Sequence, residues 1–192
     1  MSFVEDSRDF LNCSDEERTI KYPPEWKDYN RTRRQMYEEL MPDYVEQNMR
    51  SEATWIMRWK CTSGEQVGVD VHEGDICWLD YGQTFSNEMG YQHFGLVLSI
   101  WERKALIVPI TSNPRAWEKA GRENYRGHLM RIGQPEGLKK PSTLFLNDIR
   151  FINTARILYK RAYISPSSDL FLRIKSRLIE VLMRETATVP AR

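Results

Sequence analysis

The chain of 192 residues is long enough for one sizeable core or two small ones, and a hydrophobic content of 41% with six tryptophans marks it as a folded protein. No run approaches the roughly 20 apolar residues needed to span a bilayer, and the opening MSFVEDSRDFLNCSDEER lacks the basic, apolar, small-residue order of a secretory signal, so a cytoplasmic location is expected. The net charge of +1 is unevenly spread: residues 1–70 carry 15 acids and 10 bases, whereas residues 101–161 carry 13 bases and 5 acids, which favours an anionic partner for the second part.

Residues 1–20 are polar, charged and aperiodic and read as a disordered arm. Residues 21–72 read as a helical N-terminal extension. Its first helix starts after Pro23 and Pro24, carries Trp26, Tyr29, Met36, Tyr37, Leu40, Met41 and Tyr44 at approximate helical spacing, and ends near Leu40 or Met41 because Pro42 follows. A second helix is expected from Pro42 or Asp43 to about Trp59, with Val45, Met49, Ala53, Ile56 and Met57 as its apolar positions. CTSGEQVGVDVHEGD then supplies turn residues at the junction to a β-rich part, residues 73–192. Cys13, Cys61 and Cys77 are odd in number and lack CxxC spacing, which supports neither a disulfide framework nor a zinc site.

From Gly74 onward, short runs rich in Ile, Val, Leu and aromatics predict strands over 75–81, 95–101 and 104–110, with Glu102 and Arg103 forming a tight hairpin between the last two. Further strands are expected over 128–132, 142–146 and 148–152, and so many short strands argue for a small barrel or partly open sheet. Ser165 as N-cap, Pro166 at the first helical position and Asp169 in the opening turn predict a final helix with Leu170, Ile174, Leu178, Val181 and Leu182 on its apolar stripe. The tail TATVPAR reads as loose. The fold class is therefore α+β, mainly β.

Three ordered blocks carry a resemblance. Gly74, Asp75 and Ile76 followed by Trp78 and Asp80 begin the first; Asn87, Glu88, Met89 and Gly90 lead into GLVLS and IVPITS; and PSTLFLNDIRFINTARI forms the third. Together they resemble the MazF/PemK family of ribosome-independent endoribonuclease toxins, over about residues 74–183. The resemblance implies an SH3-like small barrel with a C-terminal helix, usually dimeric, that cleaves single-stranded RNA without a metal or other cofactor and is bound by an antitoxin. Residue by residue, the family's loop Ser and Glu fall on Asn87 and Glu88, its catalytic Arg on His93 and its catalytic Thr on Thr111, with Ser112 beside it. In the third block the family's Gln becomes Asp148, while Ile149, Arg150 and Ile152 keep their places.

The departure at His93 is chemically tolerable. Cleavage by the 2′-hydroxyl needs a base, an acid for the leaving 5′-oxygen and positive charge for the phosphorane; arginine supplies charge but exchanges protons poorly, whereas an imidazole can act as base or acid near neutrality. His93 is thus the candidate base or acid, and Thr111, with Ser112, the candidate for positioning or protonation. Glu88 would orient His93 or contact RNA, unless it is a solvated loop carboxylate. Arg115 would stand in for the missing guanidinium and Arg150 would hold phosphate, while Asn147 and Asp148 would read base edges, although a carboxylate there makes the base preference unreliable. Tyr91, Phe94, Trp101 and Trp117 are candidates for stacking on unpaired bases, Trp101 being more at home in barrel packing at its hairpin. The competing expectation is a catalytically inactive barrel that binds RNA or protein. The helical extension fits packing or docking better than self-inhibition, because Arg31, Arg33 and Arg34 make its first helix locally basic.

Overall fold

The computed structural model describes residues 25–125 and 127–183, so the expected arm, Cys13 and the loose tail lie outside the described residues. The described residues divide between Val45 and Glu46 into two compact units.

The first unit contains helix α1 (Glu25–Glu39), which ends just before Pro42 as expected. Trp26 stacks on Tyr29 with ring centroids 5.5 Å apart, the Arg31 guanidinium donates to Asp28 at 2.6 Å, and that of Arg33 lies over the Tyr37 ring. These contacts sit at i, i+3 and i, i+4, the spacings at which helix side chains meet. Helix α2 (Pro42–Arg58) begins in this unit and runs mostly in the second.

In the second unit a 3-10 turn (Gly64–Val67) precedes β1 (Asp75–Asp80), β2 (Gln92–Trp101) and β3 (Lys104–Thr111). Then follow α3 (Pro114–Ala120), β4 (Leu129–Gly133), β5 (Ser142–Phe145), β6 (Arg150–Asn153), β7 (Ile157–Tyr163) and α4 (Asp169–Leu182). All pairings are antiparallel, in the order β4-β5-β3-β2-β1-β7, and β6 also pairs with β3. One edge of β3 is thus shared, β5 taking Ile110 and Thr111 and β6 taking Lys104 to Ile107, which folds the sheet over on itself. The path ends at β4 and β7, which do not pair, so the SH3-like barrel is partly open. What bridges the gap is the β4–β5 connection: at Gly137 a Cβ would sit 2.4 Å from the carbonyl oxygen of Arg161 on β7, an approach only glycine permits.

The continuous apolar runs of β1–β3 are explained by burial on both faces. Alternate residues go to two cores. Ile76, Leu96, Leu98, Val108 and Ile110 join one core with Phe171, Ile174 and Leu178 of α4; Cys77, Leu79, Val97, Ala105 and Ile107 join the other with Ile152 and Ile157. Inside the second core the Cys77 thiol is pushed up to about 12, by burial first and then by the nearby Asp75 carboxylate, so it remains a protonated packing residue.

Several expectations need adjusting. α4 begins three residues later than its first cap signal: Ser168, not Ser165, is the N-cap and accepts from the Phe171 N–H, while Ser165 closes the preceding turn by accepting from the Ser168 N–H at 2.9 Å. Leu170, Ile174, Leu178 and Val181 face the core as expected, but Leu182 is exposed and the wholly buried Phe171 joins the stripe. Trp101 is 74% exposed at the hairpin tip rather than packed in the barrel. β7 and α3 were not predicted. Among the described residues, no helix is long and apolar enough to cross a membrane.

Candidate functional site

A groove of about 890 Å³ opens where β1, β2 and β3 end against the β4–β5 connection and β7. Its aromatic wall is Trp78, Phe94 and Tyr159, its cations are Lys139, Lys140 and Arg161, and its hydroxyls include Thr111 and Ser112. Among the described residues, no carboxylate lines it. His93 is part of its lining.

Strand register brings His93 and Thr111 together. β2 and β3 pair at Phe94↔Ile110 and Gly95↔Pro109, so His93 and Thr111 are the next positions outward on the two strands, and both line the groove.

The imidazole is fixed by one bond. Nδ1 of His93 lies 2.7 Å from the carbonyl oxygen of Gly90. A carbonyl can only accept, so Nδ1 carries the proton and Nε2 presents a lone pair. Burial lowers the His93 pKa from its ordinary value, and the Gly90 bond opposes that in part. At neutral pH the ring is therefore an uncharged base.

Thr111 has complementary chemistry. Its Oγ1 accepts from the Asn113 N–H at 3.1 Å, which leaves the hydroxyl proton free to be donated into the groove. Asn113 in turn caps α3 by accepting from the Arg115 N–H at 2.9 Å, with Pro114 at the first turn. Arg115 thus contributes its backbone to the turn, and its side chain is exposed outside the groove lining.

The remaining expected residues lie elsewhere. Asn87 and Glu88 are exposed on the loop of residues 81–91, and Asn147 is exposed before β6. Asp148 and Arg150 form an ion pair with each other; Asp148 also accepts from the Met89 N–H at 2.5 Å, and the Arg150 guanidinium lies 5.5 Å from the Tyr81 ring centroid. Burial is the main reason the Tyr81 hydroxyl is held well above its usual pKa, the Arg150 charge pulling the other way. This cluster pins the loop that leads to His93 instead of facing the groove. Of the candidate stacking rings, Phe94 lines the groove, Tyr91 does not, and Trp117 is covered by the Arg131 guanidinium at 4.4 Å.

Sequence reasoning missed Trp78 and Tyr159. They are cross-strand partners on β1 and β7, with ring centroids 6.5 Å apart and planes inclined by 21°. Trp78 also meets Phe94 edge-on at 4.8 Å. The signal was present only as the Leu-Tyr-Lys-Arg alternation after Ile157, which says nothing of its neighbour until register is known.

Among the described residues, no group of three or more His, Cys, Asp or Glu side chains converges as a metal site would require. No protein-family model matches the sequence, and no curated protein matches it either. Among solved structures the chain is similar to MazF from Deinococcus radiodurans, at 17% identity and a TM-score of 0.43 over 59% of this chain and 97% of that one. It is also similar to an endoribonuclease in complex with its cognate antitoxin from a mycobacterial species, at 12% identity and a TM-score of 0.43 over 61% of this chain and 100% of that one. A third similar structure is the MazE–MazF complex of Deinococcus radiodurans, at 18% identity and a TM-score of 0.40 over 58% of this chain and 95% of that one.

Proposed function

We propose that the protein is a toxin-type endoribonuclease that cleaves single-stranded RNA in the groove, without a metal, with His93 as general base. The observation that carries this reading is the His93 imidazole, held neutral with Nε2 unbonded among the described residues, in the lining of a groove that has cations and aromatic rings and, among those residues, no carboxylate. Basic grooves with aromatic platforms suit single strands, because each base has a face to stack and each phosphate a charge to pair.

In this reading the 2′-hydroxyl gives its proton to His93 Nε2 as its oxygen bonds to phosphorus. The bond from phosphorus to the 5′-oxygen breaks, the leaving oxygen takes a proton from solvent at the open mouth, and a 2′,3′-cyclic phosphate remains. Thr111 donates a hydrogen bond to a non-bridging oxygen, with Ser112 beside it, and Lys139, Lys140 and Arg161 neutralise phosphate charge. Arg115, Arg150, Asn87, Glu88, Asn147 and Asp148 would act on flanking nucleotides only if the bound strand runs past the groove. The homodimer, the antitoxin and the cytoplasmic location implied by the sequence resemblance belong to the same proposal.

The experiment is incubation of the purified protein with a long unstructured RNA in EDTA, followed by end mapping. Discrete cuts that vanish in His93→Ala support the enzyme. Binding without cuts in the unsubstituted protein supports instead a catalytically inactive RNA-binding module.

A further inference from the structure

Helix α2 packs with the opposite face from the one its composition suggests. From residue 46 onward its buried side chains are Asn48, Ser51 and Thr54, only 4%, 4% and 8% exposed. Met49, Trp55, Ile56, Met57 and Trp59, on and just after the helix, are between 56% and 76% exposed. Positions 48, 51 and 54 form one ridge at i, i+3 spacing. Burying polar groups is costly unless each is hydrogen-bonded, and here each is.

The partners of that ridge lie at one place. The Ser51 hydroxyl donates to the buried carboxylate of Asp80 at 2.8 Å, and the same oxygen accepts from the Gly82 N–H. Asn48 accepts from Gln83 Nε2 at 3.0 Å and donates to the Tyr91 hydroxyl at 3.4 Å. Thr54 Oγ1 accepts from Gln92 Nε2 at 3.2 Å while giving its proton to the Arg50 carbonyl. Arg58 locks the far end on the Ala155 and Ile157 carbonyls at 3.0 and 2.8 Å. Asp80, Gln83, Tyr91 and Gln92 bracket the loop of residues 81–91 at both ends. That loop contains two non-glycine residues at positive φ, Asn87 at 73° and Tyr91 at 54°, a conformation that persists only where surrounding contacts impose it. Gly90, whose carbonyl holds His93, precedes Tyr91 directly.

We propose that α2 is a positioning element of the His93 site: its ridge of Asn48, Ser51 and Thr54 holds the loop so that the Gly90 carbonyl selects the imidazole nitrogen that carries the proton. The part of α2 from residue 46 onward is then part of the groove's working geometry. The assignment rests on His93 being the base for its functional meaning, but the geometry it describes at the imidazole can be read without RNA.

The test uses the full chain labelled with nitrogen-15. At alkaline pH the unsubstituted protein is expected to show His93 as a single Nδ1–H tautomer. Thr54→Val, and Asn48→Ala combined with it, is expected to admit the Nε2–H tautomer, with kcat on RNA falling about 10- to 100-fold and KM changing far less. Thr54→Ser, which keeps the hydroxyl, is expected to restore the single tautomer, and this pair guards against simple misfolding. An unaltered tautomer in a folded Asn48→Ala/Thr54→Val protein overturns the proposal, even if the unsubstituted protein cleaves RNA. A tautomer shift in a protein that never cleaves RNA sustains the positioning and overturns only the nuclease reading.

Discussion

The Nδ1 atom of His93 donates to the carbonyl oxygen of Gly90 across 2.7 Å, so one imidazole nitrogen is spent on the chain's own loop while Nε2 has no partner among the described residues. A histidine anchored in this way differs from the arginine that the sequence resemblance leads one to expect at this position. It binds phosphate weakly while neutral, and it can take a proton.

The first prediction concerns pH. Burial lowers the folded-state pKa of His93, so the unprotonated base predominates at neutral pH and cleavage should rise from acid with a midpoint below 6.5, then level off. The stability sign follows from the same shift. Below 6.5 the unfolded chain binds the proton that the folded chain refuses, so stability should fall as pH drops from 6.5 through the folded pKa. NMR titration of the ring, set beside the pH profile of kcat/KM, checks both; a midpoint above 6.5 would contradict the assignment.

The second concerns the aromatic wall. Trp78→Ala or Tyr159→Ala should each weaken binding of a single-stranded oligonucleotide by about 1–3 kcal/mol, the usual cost of losing one base stack. Trp101→Ala, at an exposed hairpin tip outside the groove, should leave binding unchanged. Fluorescence anisotropy at fixed salt measures the difference.

The third concerns charge. If Lys139 and Lys140 each hold one phosphate, replacing both by Ala should reduce the slope of log Kobs against log salt by about 1.4, at about 0.7 per contact on a single strand. An unchanged slope would remove the two lysines from the binding surface.

How much of this was legible in the sequence depends on what each element's neighbours contribute. β1, β2 and β3 announce themselves because burial on both faces demands uninterrupted apolar residues, and the Glu102–Arg103 hairpin follows from the runs on either side. β7 is an edge strand whose Tyr159, Lys160 and Arg161 are exposed, so its alternation carries almost no apolar signal. α3 is seven residues with no buried side chain, too short for any period to show. The start of α4 offered two serines, and Pro166 drew the choice to Ser165 although Ser168 precedes the first hydrogen-bonded turn. In α2 the periodicity of Met49, Ile56 and Met57 was read correctly as helix but identified the exposed face, since the buried ridge is satisfied by hydrogen bonds instead of apolar contact. His93, Thr111 and Ser112 were singled out through the family resemblance, and all three line the groove; Trp78, Tyr159, Lys139, Lys140 and Arg161 converge only through cross-strand register and the β4–β5 connection.

A fourth prediction addresses stability. The Thr143 hydroxyl is fully buried on β5, directly opposite Thr111, and has no hydrogen-bond partner among the described residues. Thr143→Val keeps the shape and removes the unsatisfied group, and should stabilise the protein by about 1 kcal/mol. Phe171→Ala, which empties the contact between α4 and the sheet, should cost about 3–5 kcal/mol. Urea unfolding of both variants tests the packing account.

The central claim is that the free nitrogen of His93 takes the proton that starts RNA cleavage. Its most direct test is the 3′-end chemistry of RNA exposed to the unsubstituted protein and to His93→Ala in EDTA, with binding measured alongside. The account predicts 2′,3′-cyclic phosphate ends from the former, and from the latter a loss of about 10²–10⁴-fold in cleavage with RNA affinity retained. Cyclic phosphate ends appearing at an undiminished rate with His93→Ala would contradict it.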